Sequence, residues 1–220
     1  MGFNDDIGFS FGLLLSTICS FLLLKLEHKS PMQFLQLYKV NFKIIPSIII
    51  LSVCISFFNE GFGTLLIQCF RNSTFSHIPI CFSSIIHIVF LAPICEEIFF
   101  RGIIFTKCKY IMPSFIAILI QAFIFGICHG ALSGNIIQAI LAIISAIIFA
   151  LIYNYTNNLT ISILLHIFMN LLQIMVNLLP FAITIYPILY IILAILCLFL
   201  FLYLLKYKNI KIYYCCKSSK

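Results

Sequence analysis

The sequence predicts an all-α fold, a polytopic transmembrane helical bundle of seven or eight spans, and three observations carry that prediction. Of 220 residues, 63% are hydrophobic and only 9% are charged, against about 25% charged in an ordinary soluble domain. The apolar residues gather in long runs, several of them close to the roughly 20 residues that a membrane helix needs. The lysines fall between those runs in a one-sided pattern, as positive charge does around membrane spans. A soluble enzyme, a disordered chain and a nucleic-acid module are excluded, because the net charge of +7 comes from few, thinly spread charges.

Seven apolar runs are the expected spans: Ile7–Leu24, Phe42–Phe58, Ile78–Phe105, Ile111–Cys128, Ile136–Tyr153, Leu159–Leu178 and Phe181–Leu205. They must be helices, since nothing in lipid satisfies a lone N–H or C=O and no strand-like alternation appears. The first run follows Asp5 and Asp6, whereas a cleavable signal would begin with positive charge. Lys25, Lys29, Lys39 and Lys43 lie between spans one and two, Lys107 and Lys109 after span three, and Lys206, Lys208, Lys211, Lys217 and Lys220 after span seven. Seven spans put all eleven on one side and leave Arg71 on the other. The expected topology is therefore a multi-pass protein of a prokaryotic plasma membrane, N-terminus outside and C-terminus cytoplasmic.

Smaller features read as structure. Ala142, Ala146 and Ala150 in span five repeat every four residues, a small-residue seam that lets helices approach closely. The ten cysteines form no C-x-x-C pair and mostly lie in apolar runs, which suits packing better than zinc. Cys215 and Cys216, in the lysine-rich tail, are the two placed for acylation. Asn72-Ser73-Thr74 is a chance sequon.

Ionisable groups inside spans are costly and need a reason. Only Glu96, Glu97 and Arg101 lie well inside one; the other sixteen charged residues occupy loops, tails or span ends. Glu97 and Arg101 are four apart and can pair on one helical face. Glu96 points about 100° away, unpartnered in its own helix, where a buried carboxylate can serve as general base. His129 closes span four, and His166 begins a stripe with Asn170, Gln173 and Asn177 down span six. Such a stripe lines a wet cavity or joins helices by hydrogen bonds. Two histidines, two carboxylates and a carboxamide suit hydrolysis: a carboxylate to take a proton from water, imidazole to hold that water or a metal, and an amide for an oxyanion. His87 falls on the face opposite Glu96 and reads as structural.

Glu96-Glu97-x-x-x-Arg101, Phe125-x-x-x-His129 and His166-x-x-x-Asn170, in order on separate spans, resemble the three motifs of the CPBP intramembrane proteases. That family includes type II CAAX prenyl endopeptidases and the bacteriocin-processing or self-immunity (Abi) proteins. The resemblance implies that Glu96 activates water, with Glu97 and Arg101 completing the first motif. It implies that His129 acts with Glu96, and that His166 and Asn170 bind metal or stabilise an oxyanion. It also implies a peptide or lipid-modified protein substrate within membrane lipid. The family is described both as metallopeptidase, with zinc or another divalent metal held here by Glu96, His129 and His166, and as a metal-independent glutamate peptidase. H-E-x-x-H is absent, and the residues serve either scheme. The organisation that follows is N-terminal spans in 1–80, a catalytic core in 81–180, and a last span with its tail in 181–220.

One difficulty is geometric. A straight span four from Ile111 puts His129 about 27 Å deep, while Glu97 and His166 lie only about 10–12 Å in. The expectation is that Tyr110–Ser114 lies along the interface, with irregular chain over Gly130–Asn135. Two other readings stay open: a bacteriocin-immunity or scaffold protein that needs no proteolysis, and a small proton-coupled transporter. Inverted repeats would mark the latter, and no such symmetry is present.

Overall fold

The computed structural model describes residues 3–70, 85–178 and 187–207. Among them are seven long helices and no strand: α1 (Phe3–Leu26), α2 (Ile45–Phe70, led in by the 3-10 turn Phe42–Ile44), α3 (residues 85–108), α4 (Ser114–Ser133), α5 (Ile136–Thr156), α6 (Leu159–Leu178) and α7 (Pro187–Tyr207). Each of them overlaps one of the seven expected spans, most with different ends. Phe42–Phe70, Ile136–Thr156, Leu159–Val176 and Pro187–Leu204 are each long and apolar enough to cross a membrane. The chain is an all-α integral membrane protein. Arg71, the sequon Asn72-Ser73-Thr74, Cys81, residues 78–84 and 179–186, and the tail with Cys215 and Cys216 lie outside the described residues.

Short polar turns set the order of the core helices. Pro113 precedes Ser114 and starts α4, because its fixed φ and missing N–H suit a helix entry. Gly134 ends α4 at φ 64°, and the side chain of Asn135 then accepts from Ile137 N to cap α5. Asn157, at φ 47°, ends α5, and the Asn158 carboxamide accepts from Thr160 N to start α6. Left-handed residues at helix ends and Asn at N-caps satisfy the orphan backbone groups that lipid cannot. The expected irregular stretch Gly130–Asn135 is thereby corrected: helix continues to Ser133, and only Gly134 and Asn135 leave it.

Helix α3 lies at the centre, touching α1, α4, α5 and α6, while α2 and α7 pair with each other and α2 packs on α6. The alanine seam works as expected, with Ala142, Ala146 and Ala150 buried in α5. Phe100, Phe125, Ala142 and Ala146 share one apolar cluster, through which α3, α4 and α5 meet. Facing the seam, α4 offers Gly126, where a Cβ would stand 2.2 Å from Ile143 Cγ1 and 2.8 Å from Ala139 O. Gly126→Ala is therefore expected to destabilise the protein by about 1–3 kcal/mol, as overpacking does, read as a lower melting temperature in detergent.

The connection from α1 to α2 folds back onto the bundle. Leu35 is fully buried, its carbonyl accepts from Tyr153 Oη, and the Gln36 carbonyl accepts from Leu159 N. Outside it, Lys107 and Lys29 pair with Glu27 and hold its carboxyl below the ordinary range. The seven described cysteines are unpaired thiols.

Candidate active site

The first motif lies on a helix that is not regular. His87–Leu91 and Glu97–Phe105 are π-helical, with α-helical Ala92–Glu96 between them. Extra residues per turn of this kind concentrate at functional sites. Glu96 and Glu97 stand at the junction, both buried, on the face that meets α6.

Glu97 is the hub. Its Oε1 lies 2.9 Å from Arg101 Nη1 and 3.0 Å from His166 Nδ1, and its Oε2 accepts from Ser162 Oγ at 2.6 Å. Arg101 is fully buried, its guanidinium between the rings of Phe125 at 4.6 Å and Phe149 at 5.2 Å, with Nη2 3.4 Å from Ala146 O. Nη1 is close to Glu97 but poorly aligned for a hydrogen bond, and Nε has no partner among the described residues. The guanidinium is therefore held by charge attraction and by the faces of two aromatic rings, an arrangement that suits a desolvated cation. The pairing read from the four-residue spacing is present.

Glu96 differs. No described donor hydrogen-bonds to it, and the titratable group that meets it is His166, with Nε2 3.9 Å from Oε2. Because Nδ1 is turned to Glu97, His166 presents Nε2 to Glu96. The carboxylate left unpartnered along its own helix is thus met from α6, at a distance one water can bridge.

His129 lies inside α4, not at its end. Its ring stacks on Phe125 at 4.2 Å, with Nδ1 3.0 Å from Phe125 O, and the same Phe125 ring meets His166 at 6.5 Å. One phenyl ring therefore contacts both histidines. Starting α4 at Ser114 removes about 4.5 Å of the depth expected from Ile111. No three His, Cys, Asp or Glu among the described residues converge to hold a metal ion. Glu96, His129 and His166 do not form such a three-ligand group in this structure.

The polar stripe of α6 is used mainly for interhelical bonds. Asn170 Nδ2 donates to Ile88 O at 2.8 Å, and Gln173 donates to Glu60; the side chain of Asn177 is outside the described residues. Glu60 corrects the count of charges inside spans. Span two was expected to end at Phe58, but α2 runs to Phe70 and carries Glu60 in its interior. Asn59, beside it, donates to Ser145 on α5 at 3.0 Å. Extending the apolar run across the Asn59-Glu60 pair would have found this carboxylate, whereas nothing in the sequence marks Ser162. His87 opens the first π segment and has a partner of its own.

An apolar groove of about 410 Å³, lined by Leu119, Phe123, Ile143 and Ile147 among others, lies along α4 and α5 and includes none of the motif residues. No curated protein and no solved structure matches the chain. Residues 78–172 match the family model of type II CAAX prenyl endopeptidase Rce1-like proteins, a stretch that takes in all three motifs. The segment that builds this site is thus similar to the type II CAAX prenyl endopeptidases, as the motif resemblance implied.

Proposed function

We propose that the chain is an intramembrane endopeptidase acting on membrane-associated, CAAX-type protein substrates through a glutamate-activated water. The observation that carries this reading is the unequal treatment of two adjacent carboxylates. Glu97 is saturated by Arg101, His166 and Ser162, whereas Glu96 has no hydrogen bond to a described group and faces His166 Nε2. A structural ion pair accounts for the first and leaves the second unexplained.

In the reaction, His129 orients a water and Glu96 takes its proton as the water oxygen bonds to the scissile carbonyl carbon. The carbonyl electrons move to oxygen, and donors aimed at that oxygen lower the barrier. Asn170 supplies one N–H. His166, its Nδ1 turned to Glu97, presents Nε2 to the same site. Collapse of the intermediate breaks the C–N bond, and Glu96 returns its proton to the leaving amine. Arg101, Ser162 and His166 occupy both oxygens of Glu97, so Glu97 orients His166 and does not compete for the water's proton.

The test is release of the C-terminal fragment from prenylated and unprenylated CAAX peptides by purified protein, followed by mass spectrometry, with bound metal measured on the same sample. Cleavage at the CAAX site is expected, faster for the prenylated peptide. Cleavage of neither peptide would sink the reading.

A further inference from the structure

The hydrogen bond that holds Asn170 exists because a backbone donor is missing. In the first π segment of α3 the ladder runs five residues back, and Ala92 N–H bonds to His87 O. The next residue in that register is Pro93, which would bond to Ile88 O but has no N–H. The Ile88 carbonyl is thereby orphaned inside a membrane helix, where an unsatisfied group is expensive. Asn170 Nδ2 takes it at 2.8 Å, from a helix 82 residues on.

An amide nitrogen carries two hydrogens. The bond to Ile88 O uses one and fixes the plane of the carboxamide. The second is taken by no described residue. Asn170 stands one turn beyond His166 on the same face of α6, so the plane set by Ile88 decides where that second hydrogen points.

We propose that Pro93 is a positioning residue: by withholding an N–H it leaves Ile88 O to orient the Asn170 carboxamide for the reacting carbonyl. The role in hydrolysis rests on the function proposed above, while the hydrogen bond itself does not. Pro93→Ala supplies the missing donor, returns Ile88 O to the helix ladder and frees Asn170. An α-hydroxy acid at position 93 with the alanine side chain lacks the N–H as proline does, and restores the arrangement.

Three measurements decide it. Pro93→Ala is expected to lower kcat ten- to a hundredfold with KM within about twofold, to match Asn170→Ala, and to add nothing in the double variant. The α-hydroxy acid is expected to recover most of the rate. Full activity of Pro93→Ala, or multiplied losses in the double variant, overturns the proposal. Independently of any activity, the side-chain amide of selectively ¹⁵N-labelled Asn170 is expected to exchange slowly in the wild type and quickly in Pro93→Ala. Fast exchange in the wild type overturns it even if the variant does not fold. If wild type cleaves no peptide, the endopeptidase reading fails and the exchange data alone judge the bond.

Discussion

Replacing Glu96 by Gln is expected to abolish peptide cleavage while leaving the protein folded, inserted and equally stable. The substitution keeps the shape of the side chain and removes the group that accepts the proton. Loss of a general base costs typically 10²–10⁴-fold in rate, and cleavage in Glu96→Gln should fall at least that far. Stability should change little, since no described donor hydrogen-bonds to Glu96 and a neutral amide is cheaper to bury than a carboxylate. Parallel measurement of kcat and melting temperature in detergent checks both halves. Retained cleavage would remove Glu96 from its role; a collapsed melting temperature would make it structural.

The neighbouring position should respond in the opposite sense. Glu97→Gln leaves Arg101 fully buried without the carboxylate it pairs with, and breaking one side of a buried pair costs about 3–5 kcal/mol. The two aromatic rings and the long contact to Ala146 O offset only part of that loss. His166 also loses its carboxylate anchor, so activity falls with stability. The double variant Glu97→Gln, Arg101→Met separates the two effects. Removing both charges is expected to recover most of the stability, because a buried pair contributes little over apolar packing, yet not the rate, because His166 still lacks its carboxylate partner. Unfolding midpoints and cleavage rates of the three variants check this, and recovery of both together would contradict the orienting role of Glu97.

The adjacency of these two carboxylates explains why so much of the site was legible in advance. On one helix, a one-residue step rotates the side chain far enough that only Glu97 shares a face with Arg101, and the structure keeps that division. The lipid-compatible runs were equally legible, since hydrocarbon leaves the backbone no alternative to helix. Less visible was where a polar residue counts as interior. Asn59-Glu60 reads as the end of a span when taken alone, and becomes interior only because α2 continues to Phe70 and α6 brings Gln173 to meet it. The same holds for α4, whose end was expected near His129 but extends to Ser133 because Gly134, not Gly130, adopts the left-handed turn.

By itself, the amino-acid sequence determined that this chain is an all-α membrane bundle and where its apolar runs and scarce interior charges lie, since hydropathy, charge scarcity and spacing along a helix are local properties. Only the tertiary structure decided which nitrogen of His166 meets which carboxylate, that Ser162 and Glu60 take part, and that Ile88 O holds Asn170. Each of those bonds joins groups from different helices. Their partners are chosen by the crossing and axial offset of packed helices, and by one absent N–H at Pro93, which no spacing within a single span records.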